Sequence, residues 1–126
     1  MKLAIVGSRG ITEFDMALLI DFDVECIISG GASGVDRLAI EFAKANGIDF
    51  KEIKPDYKRY GRCAPILRNK VIVNEADFVI AIWDGISKGT KSVIDYCKKM
   101  NKPHRVEIKK QNTDSYWIGV LLFVRN

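Results

Sequence analysis

Histidine is almost absent from this 126-residue chain: His104 stands alone, which excludes a histidine-rich metal centre. His104 itself reads as a surface or packing residue. Cysteine is scarce too. Cys26, Cys63 and Cys97 lie far apart, no pair has metal-ligand spacing, and an odd number argues against a disulfide framework. Neither a metal nor an obligatory cofactor is expected. Long hydrophobic runs are missing as well. The longest, residues 117–124, falls far short of the roughly 20 residues that a spanning helix needs. The apolar run near the start, residues 3–6, is too short for a signal peptide. The sequence therefore predicts a cytoplasmic protein with no membrane partner. Repeats and low-complexity segments are not visible.

What is present is an ordinary globular balance, 48% hydrophobic and 29% charged. The length suits one domain, which buries roughly two-thirds of its unfolded surface and needs no disulfide or metal to fold. The formal net charge of +4 permits an anionic partner without demanding one. Its distribution says more. Residues 1–50 and 71–87 are net acidic, whereas residues 51–70 and 88–110 are net basic. These basic segments are either solvated surface or cations facing a bound anion. Lys98, Lys99, Lys109 and Lys110 read as solvated surface, and Arg9 and Arg68 as the placed cations.

The chain alternates short apolar runs with longer helical patterns. Residues 3–6 form a continuous apolar run ending in Gly7, as in a strand buried on both faces. Residues 12–22 are expected to form a helix, with Thr12 as its cap and Asp15 three residues on. Residues 26–28 make a second strand. Residues 35–46 give the clearest helix, with Val35, Leu38, Ala39, Phe42 and Ala43 on one stripe and Gly47 beyond its end. Further strands are expected at 48–53, 78–83 and 105–108, and helices at 65–76 and 90–100, the first opened by Pro65. Residues 116–124 read as a sixth strand whose lack of polar alternation requires a cover, from its own domain or from a second subunit. Strands alternating with helices predict an α/β, three-layer Rossmann-like fold, with a mainly parallel sheet of 5–6 strands and helices on both faces. Residues 1–108 form the Rossmann-like domain, and 109–126 add a loop and an extra strand to it.

Parallel strands bring their carboxyl ends to one edge, where such sheets bind ligands. Three of those ends are unusual: Gly7-Ser8-Arg9-Gly10, then Ser29-Gly30-Gly31-Ala32-Ser33-Gly34-Val35-Asp36, then Trp83-Asp84-Gly85-Ile86-Ser87-Lys88-Gly89-Thr90. Glycines allow close backbone approach, amides at the start of a helix attract anions, and Arg9 supplies a forked cation. A phosphorylated small molecule is the natural ligand. Purely structural readings stand beside this. The glycine loops also serve as tight turns, Ser33 with Asp36 has the spacing of a capping box, Arg68 and Asn69 fit an ordinary helix surface, and Trp83 fits a core. Two common phosphate motifs are excluded. Residues 7–10 lack G-x-G-x-x-G spacing, and at 85–92 only three residues separate the glycines, with Thr90 where a Walker lysine belongs.

In order and spacing, several motifs across residues 2–108 match one group. They are Gly7-Ser8-Arg9, Ser29-Gly30-Gly31-Ala32-Ser33-Gly34-Val35-Asp36-Arg37-Leu38-Ala39, Lys54-Pro55-Asp56-Tyr57, Tyr60-Gly61-Arg62, Ala64-Pro65, Arg68-Asn69, Ala76-Asp77 and Ile82-Trp83-Asp84-Gly85 with Ser87, Gly89 and Thr90. The chain thus resembles the SLOG superfamily of Rossmann-like proteins, and within it the small YspA-type branch. The resemblance implies a pocket for nucleotides or nucleotide-derived, ADP-ribose-like ligands. Its implied contacts are Gly7, Ser8, Arg9, Ser29, Gly30, Gly31, Ala32, Gly34, Asp36, Arg68, Asn69, Trp83, Asp84, Ser87, Gly89 and Thr90. Relatives include phosphoribohydrolases, a cofactor carrier, DNA-processing proteins and nucleotide sensors. The hydrolases carry a catalytic glutamate three residues after a loop threonine; here that position is Val93, and Asp95 is rotated by about 200° along the helix. Catalytic residues are therefore not assigned. The expected function is binding of a phosphorylated small molecule, as sensor or carrier, by a homo-dimer or higher oligomer. N-glycosidic hydrolysis, with Asp36 or Asp84 as base, and single-stranded DNA binding are the alternatives.

Overall fold

The first strand shows why the chain folds into three layers. In β1 (Lys2–Gly7), period-2 alternation sends Ala4 and Val6 to one face and Leu3 and Ile5 to the other, and all four are buried. A strand apolar on both faces must be covered on both. The computed structural model describes residues 1–20, 23–31, 33–109 and 119–123, the last of these as backbone only. Its remaining strands are β2 (Cys26–Ser29), β3 (Asp49–Glu52), β4 (Phe78–Trp83), β5 (His104–Ile108) and β6 (Gly119–Phe123). They form one sheet in the order β3-β2-β1-β4-β5-β6. The first five are parallel, and β6 runs antiparallel to β5 at the edge.

The helices are α1 (Val35–Ala45), a single turn α2 (Tyr57–Tyr60), α3 (Ala64–Glu75) and α4 (Lys88–Lys99). Ile72 and Val73 of α3 and Val93, Ile94 and Cys97 of α4 cover the Ala4 face. Val35, Ala39 and Ala43 of α1 cover the Leu3 face, together with Ile11, Met16 and Leu19. This is the α/β, Rossmann-like arrangement that the sequence predicts. Its strand order reverses between β1 and β4: one branch runs outward through β2 to β3, the other through β5 to β6. Among the described residues, no helix is long and apolar enough to cross a membrane. The three cysteines are free.

The helix expected at 12–22 is not formed over the described part of that segment, which holds one 3-10 turn, Met16–Leu18. The reason lies in one hydrogen bond. A helix there would join the Ala17 amide to the Glu13 carbonyl. Instead the Ala17 amide donates to Asp15 Oδ1 at 3.1 Å, and the Glu13 carbonyl accepts from Lys109 Nζ. Lys109 is correspondingly buried, against the expectation of a solvated lysine, and its ammonium lies over the Phe14 ring. Lys98 and Lys99 are exposed as expected, and Lys110 lies outside the described residues. Ser33 does not cap α1. The N-cap position is Gly34, which has no side chain with which to cap the helix. His104 is buried in the packing, with Nδ1 2.7 Å from the Lys102 carbonyl. Of the strand expected at 116–124, residues 119–123 pair with β5, and the rest lies outside the described residues.

The end of β1 is sterically closed. A Cβ at Gly7 would lie 2.5 Å from the Ile82 carbonyl oxygen and 2.6 Å from Val35 Cβ. Gly7→Ala is therefore expected to lower stability by about 1–3 kcal/mol through overpacking. Chemical denaturation checks this, and an unchanged midpoint would show that α1 is free to shift.

Candidate functional site

The carboxyl ends of β1 and β4 sit side by side, and the chain leaves them in opposite directions. That geometry opens a crevice at the strand-order reversal. A cleft of about 330 Å³ lies there. Its walls come from the β1 loop (Gly7, Ser8, Arg9, Gly10), from Asp36 of α1, from one face of α3, and from Ser87, Gly89 and Thr90 where α4 begins. Val6, Ile72 and Val93 give it an apolar floor.

Ser8 joins the two central loops. Its amide donates to the Ile82 carbonyl at 3.0 Å, and its buried Oγ accepts from the Asp84 amide at 3.1 Å. Asp84 then closes its own loop. Oδ1 accepts from the Ile86 and Ser87 amides at 2.9 and 2.7 Å, and Oδ2 accepts from Ser87 Oγ at 2.7 Å. Trp83 Nε1 adds a bond to the Ser87 carbonyl at 3.0 Å. Ser87 occupies the N-cap position of α4, yet its hydroxyl is turned to Asp84 and does not cap the helix. Among the described residues, the amides of Lys88, Gly89 and Thr90 have no hydrogen-bond acceptor. These first-turn amides carry the positive end of the helix dipole.

On the opposite wall, Arg68 reaches from α3 to the ends of β2 and β3. Nη1 donates to the Gly30 carbonyl at 2.9 Å and to the Ile53 carbonyl at 3.4 Å, and Nε donates to Asn69 Oδ1 at 2.8 Å. Gly30 makes this approach possible. A Cβ there would meet Arg68 Nη1 at 2.6 Å and Asp36 Oδ2 at 3.0 Å, so the two side chains come together over a residue that has none. Burial lowers the Arg68 pKa most, nearby Asp36 and Tyr57 act to raise it, and Arg9 lowers it again. A guanidinium begins so high that it stays charged. Arg9 is exposed at the rim and makes no hydrogen bond or ion pair among the described residues.

The cleft brings together Gly7, Ser8, Arg9, Asp36, Arg68, Asn69, Ser87, Gly89 and Thr90, as the sequence predicts. Ser29, Gly30, Gly31, Gly34, Trp83 and Asp84 do not line it. Ser29 Oγ donates to the Asp36 carbonyl at 3.2 Å, while Gly30 bonds Arg68. Gly34 takes a φ of +77° against the Ser8 and Arg9 carbonyls, and Gly31 lies beside Glu52. Trp83 packs on the core, and Asp84 braces its loop. Ala32 lies outside the described residues. Sequence reasoning missed Val6, Gly10, Pro65, Ile72 and Val93. Helical spacing carries a signal for some of them, since Pro65, Arg68, Asn69 and Ile72 fall at i, i+3, i+4 and i+7, one face of α3. Among the described residues no cluster of histidine, cysteine and acidic side chains is arranged to hold a metal.

Asp84→Ala removes three acceptor contacts made by a nearly buried carboxylate. It is expected to lower stability by about 1–3 kcal/mol, read by urea denaturation. A midpoint within error of wild type would show that the loop holds its shape without the carboxylate.

A scan against family models gives no match, and no curated protein matches the chain. The functional reading therefore rests on the geometry of the cleft.

Proposed function

We propose that this chain binds a phosphorylated small molecule of the nucleotide class in the β1/β4 cleft, as a sensor or carrier. The observation that carries the reading is the meeting of three anion-attracting features over one apolar floor: the uncapped start of α4, the rim guanidinium of Arg9 and the anchored guanidinium of Arg68. Cations and free amides favour a phosphoryl group, and the floor of Val6, Ile72 and Val93 suits a sugar or a base. The likeness of the loops to the SLOG superfamily points the same way, as a resemblance of motifs.

Binding is preferred to N-glycosidic hydrolysis on two observations. Val93 lines the cleft where the similar hydrolases carry a glutamate, and Asp95 is exposed and bonds Lys91 at 2.9 Å. Asp84 spends its oxygens on its own loop.

Titration calorimetry against a panel of nucleotides and ADP-ribose derivatives tests the proposal. At least one of them is expected to bind, and Arg9→Ala is expected to weaken it about tenfold or more, since a charged hydrogen bond contributes about 1.5–3 kcal/mol. The variant should keep its melting temperature, because the exposed Arg9 side chain makes no hydrogen bond or ion pair among the described residues. Absence of binding by every compound at millimolar concentration would overturn the reading.

A further inference from the structure

Helix α3 walls two cavities, one on each side. Arg68, Asn69 and Ile72 line the β1/β4 cleft. Leu67, Lys70, Val71 and Asn74, at i, i+3, i+4 and i+7, line a second pocket of about 340 Å³ on another face of the helix. Ile53, just beyond β3, and Tyr60 of α2 complete it. Among the described residues, Arg68 alone borders both cavities. Ile53 packs on the core and Ala64 is buried, while Leu67, Val71 and the Tyr60 ring carry the apolar surface outward. Val71 and Tyr60 are 45% and 43% exposed. Single exposed apolar side chains need no explanation, but these share one concavity with an apolar floor.

Charge at this pocket is one-sided. Lys54, Lys70 and Arg68 border it against a single carboxylate, Asp56. Asp56 is engaged in capping α2, where its Oδ1 accepts from the Arg59 amide at 3.1 Å. Arg68 is committed to the Gly30 and Ile53 carbonyls and to Asn69. Lys54 and Lys70 are exposed. The Lys54 ammonium lies 4.0 Å from Glu52 Oε2, and that of Lys70 lies 5.7 Å from the centre of the Tyr96 ring. An ammonium has three donors, and neither contact uses them all. Lysines lay their stems on apolar surface and keep their heads in water. We propose that this pocket is a second binding site, separate from the β1/β4 cleft, for small carboxylic acids with an apolar body. The body lies on Ile53, Leu67 and Val71 against the Tyr60 ring, and the carboxylate meets Lys54 and Lys70 at the mouth. The excess of cations selects an anion, and the apolar floor disfavours a sugar phosphate. A volume of about 340 Å³ lies at the bottom of the roughly 300–1,000 Å³ range of small-molecule sites, which suits a bicyclic acid or a short fatty acid. The assignment holds whatever the cleft binds.

The test is titration of the full chain with naphthoate and with octanoate, each beside its neutral amide, followed by proton–nitrogen correlation NMR. At least one acid is expected to bind with a Kd below about 1 mM, with shifts centred on Ile53, Leu67 and Val71. Its amide is expected to bind about threefold or more weakly, as the loss of two exposed ion pairs implies. The double variant Lys54→Ala/Lys70→Ala should erase the difference between acid and amide. Val71→Glu places a carboxylate at a half-exposed position of α3 and should abolish binding of the acid while the melting temperature holds. If that variant does not fold, the amides and the double variant still decide. No saturable shift with either acid at millimolar concentration, shifts centred on Ser8, Gly89 and Thr90, equal binding of acid and amide, or wild-type affinity in folded Val71→Glu would each overturn the proposal. Sedimentation that shows a wild-type dimer and a Val71→Glu monomer would overturn it too, by giving the pocket to a contact between copies of the chain.

Discussion

The structure depends on a close approach that only two missing side chains allow, at Gly7 and Gly34. A Cβ on Gly34 would lie 2.4 Å from the Arg9 carbonyl oxygen and 2.6 Å from that of Ser8. A Cβ on Gly7 would strike both the Ile82 carbonyl and Val35. Gly34 also adopts a positive φ, a conformation that a side chain disfavours. Together they let the start of α1 press on the end of β1 while β1 remains paired with β4. The loop of residues 8–10 is held between them, its carbonyls turned to Gly34 and its Ser8 amide to Ile82. With its backbone fixed on those sides, the loop presents Ser8, Arg9 and Gly10 to the cleft. The tight turn and the cleft wall are one feature of the chain.

The parallel sheet is legible in the sequence because its central strands are apolar without alternation. β1 and β4 read plainly for that reason. The weaker alternation of residues 48–53 also marks a true strand, but β3 is an edge strand with all four residues exposed. What the sequence hides is long-range competition for a single backbone bond. Residues 12–22 have helical composition and a plausible cap. The Glu13 carbonyl is nevertheless claimed by Lys109, a residue 96 positions away, and the Ala17 amide by Asp15. Local propensity is a weak prior, and a tertiary contact overrides it. The same contact explains why Lys109 is buried although its neighbours in sequence look like solvated surface.

The site was legible where it depends on backbone and less so where it depends on side-chain direction. The convergence of glycine loops follows from strand polarity alone, and it correctly brings Gly7, Ser8, Gly89 and Thr90 into one cleft. Whether a polar residue in such a loop faces the cleft or the loop depends on its hydrogen bonds. Asp84, Trp83 and Ser29 all turn to the chain itself. Ile72 and Val93 belong to the core and also floor the cleft, a double role that apolar periodicity cannot distinguish.

The contrast between Asp36 and Asp84 decides what the cleft can do. Both are nearly buried acids beyond the carboxyl end of a parallel strand, Asp84 directly after β4 and Asp36 one loop after β2. Asp84 accepts two amides and a hydroxyl within residues 84–87, which fixes the loop but points the carboxylate at its own backbone. Because Ser87 spends its hydroxyl there, α4 begins uncapped. Asp36 instead lies over Gly30 beside Arg68 and lines the cleft. One acid thus leaves a helix start without a side-chain cap, and the other stands beside the Arg68 guanidinium on the far wall. General acid–base chemistry requires a group within reach of the proton being moved. Among the described residues that line the cleft, Asp36 is the one carboxylate. The placement of these few groups, more than the net +4 of the chain, sets the charge of the cleft.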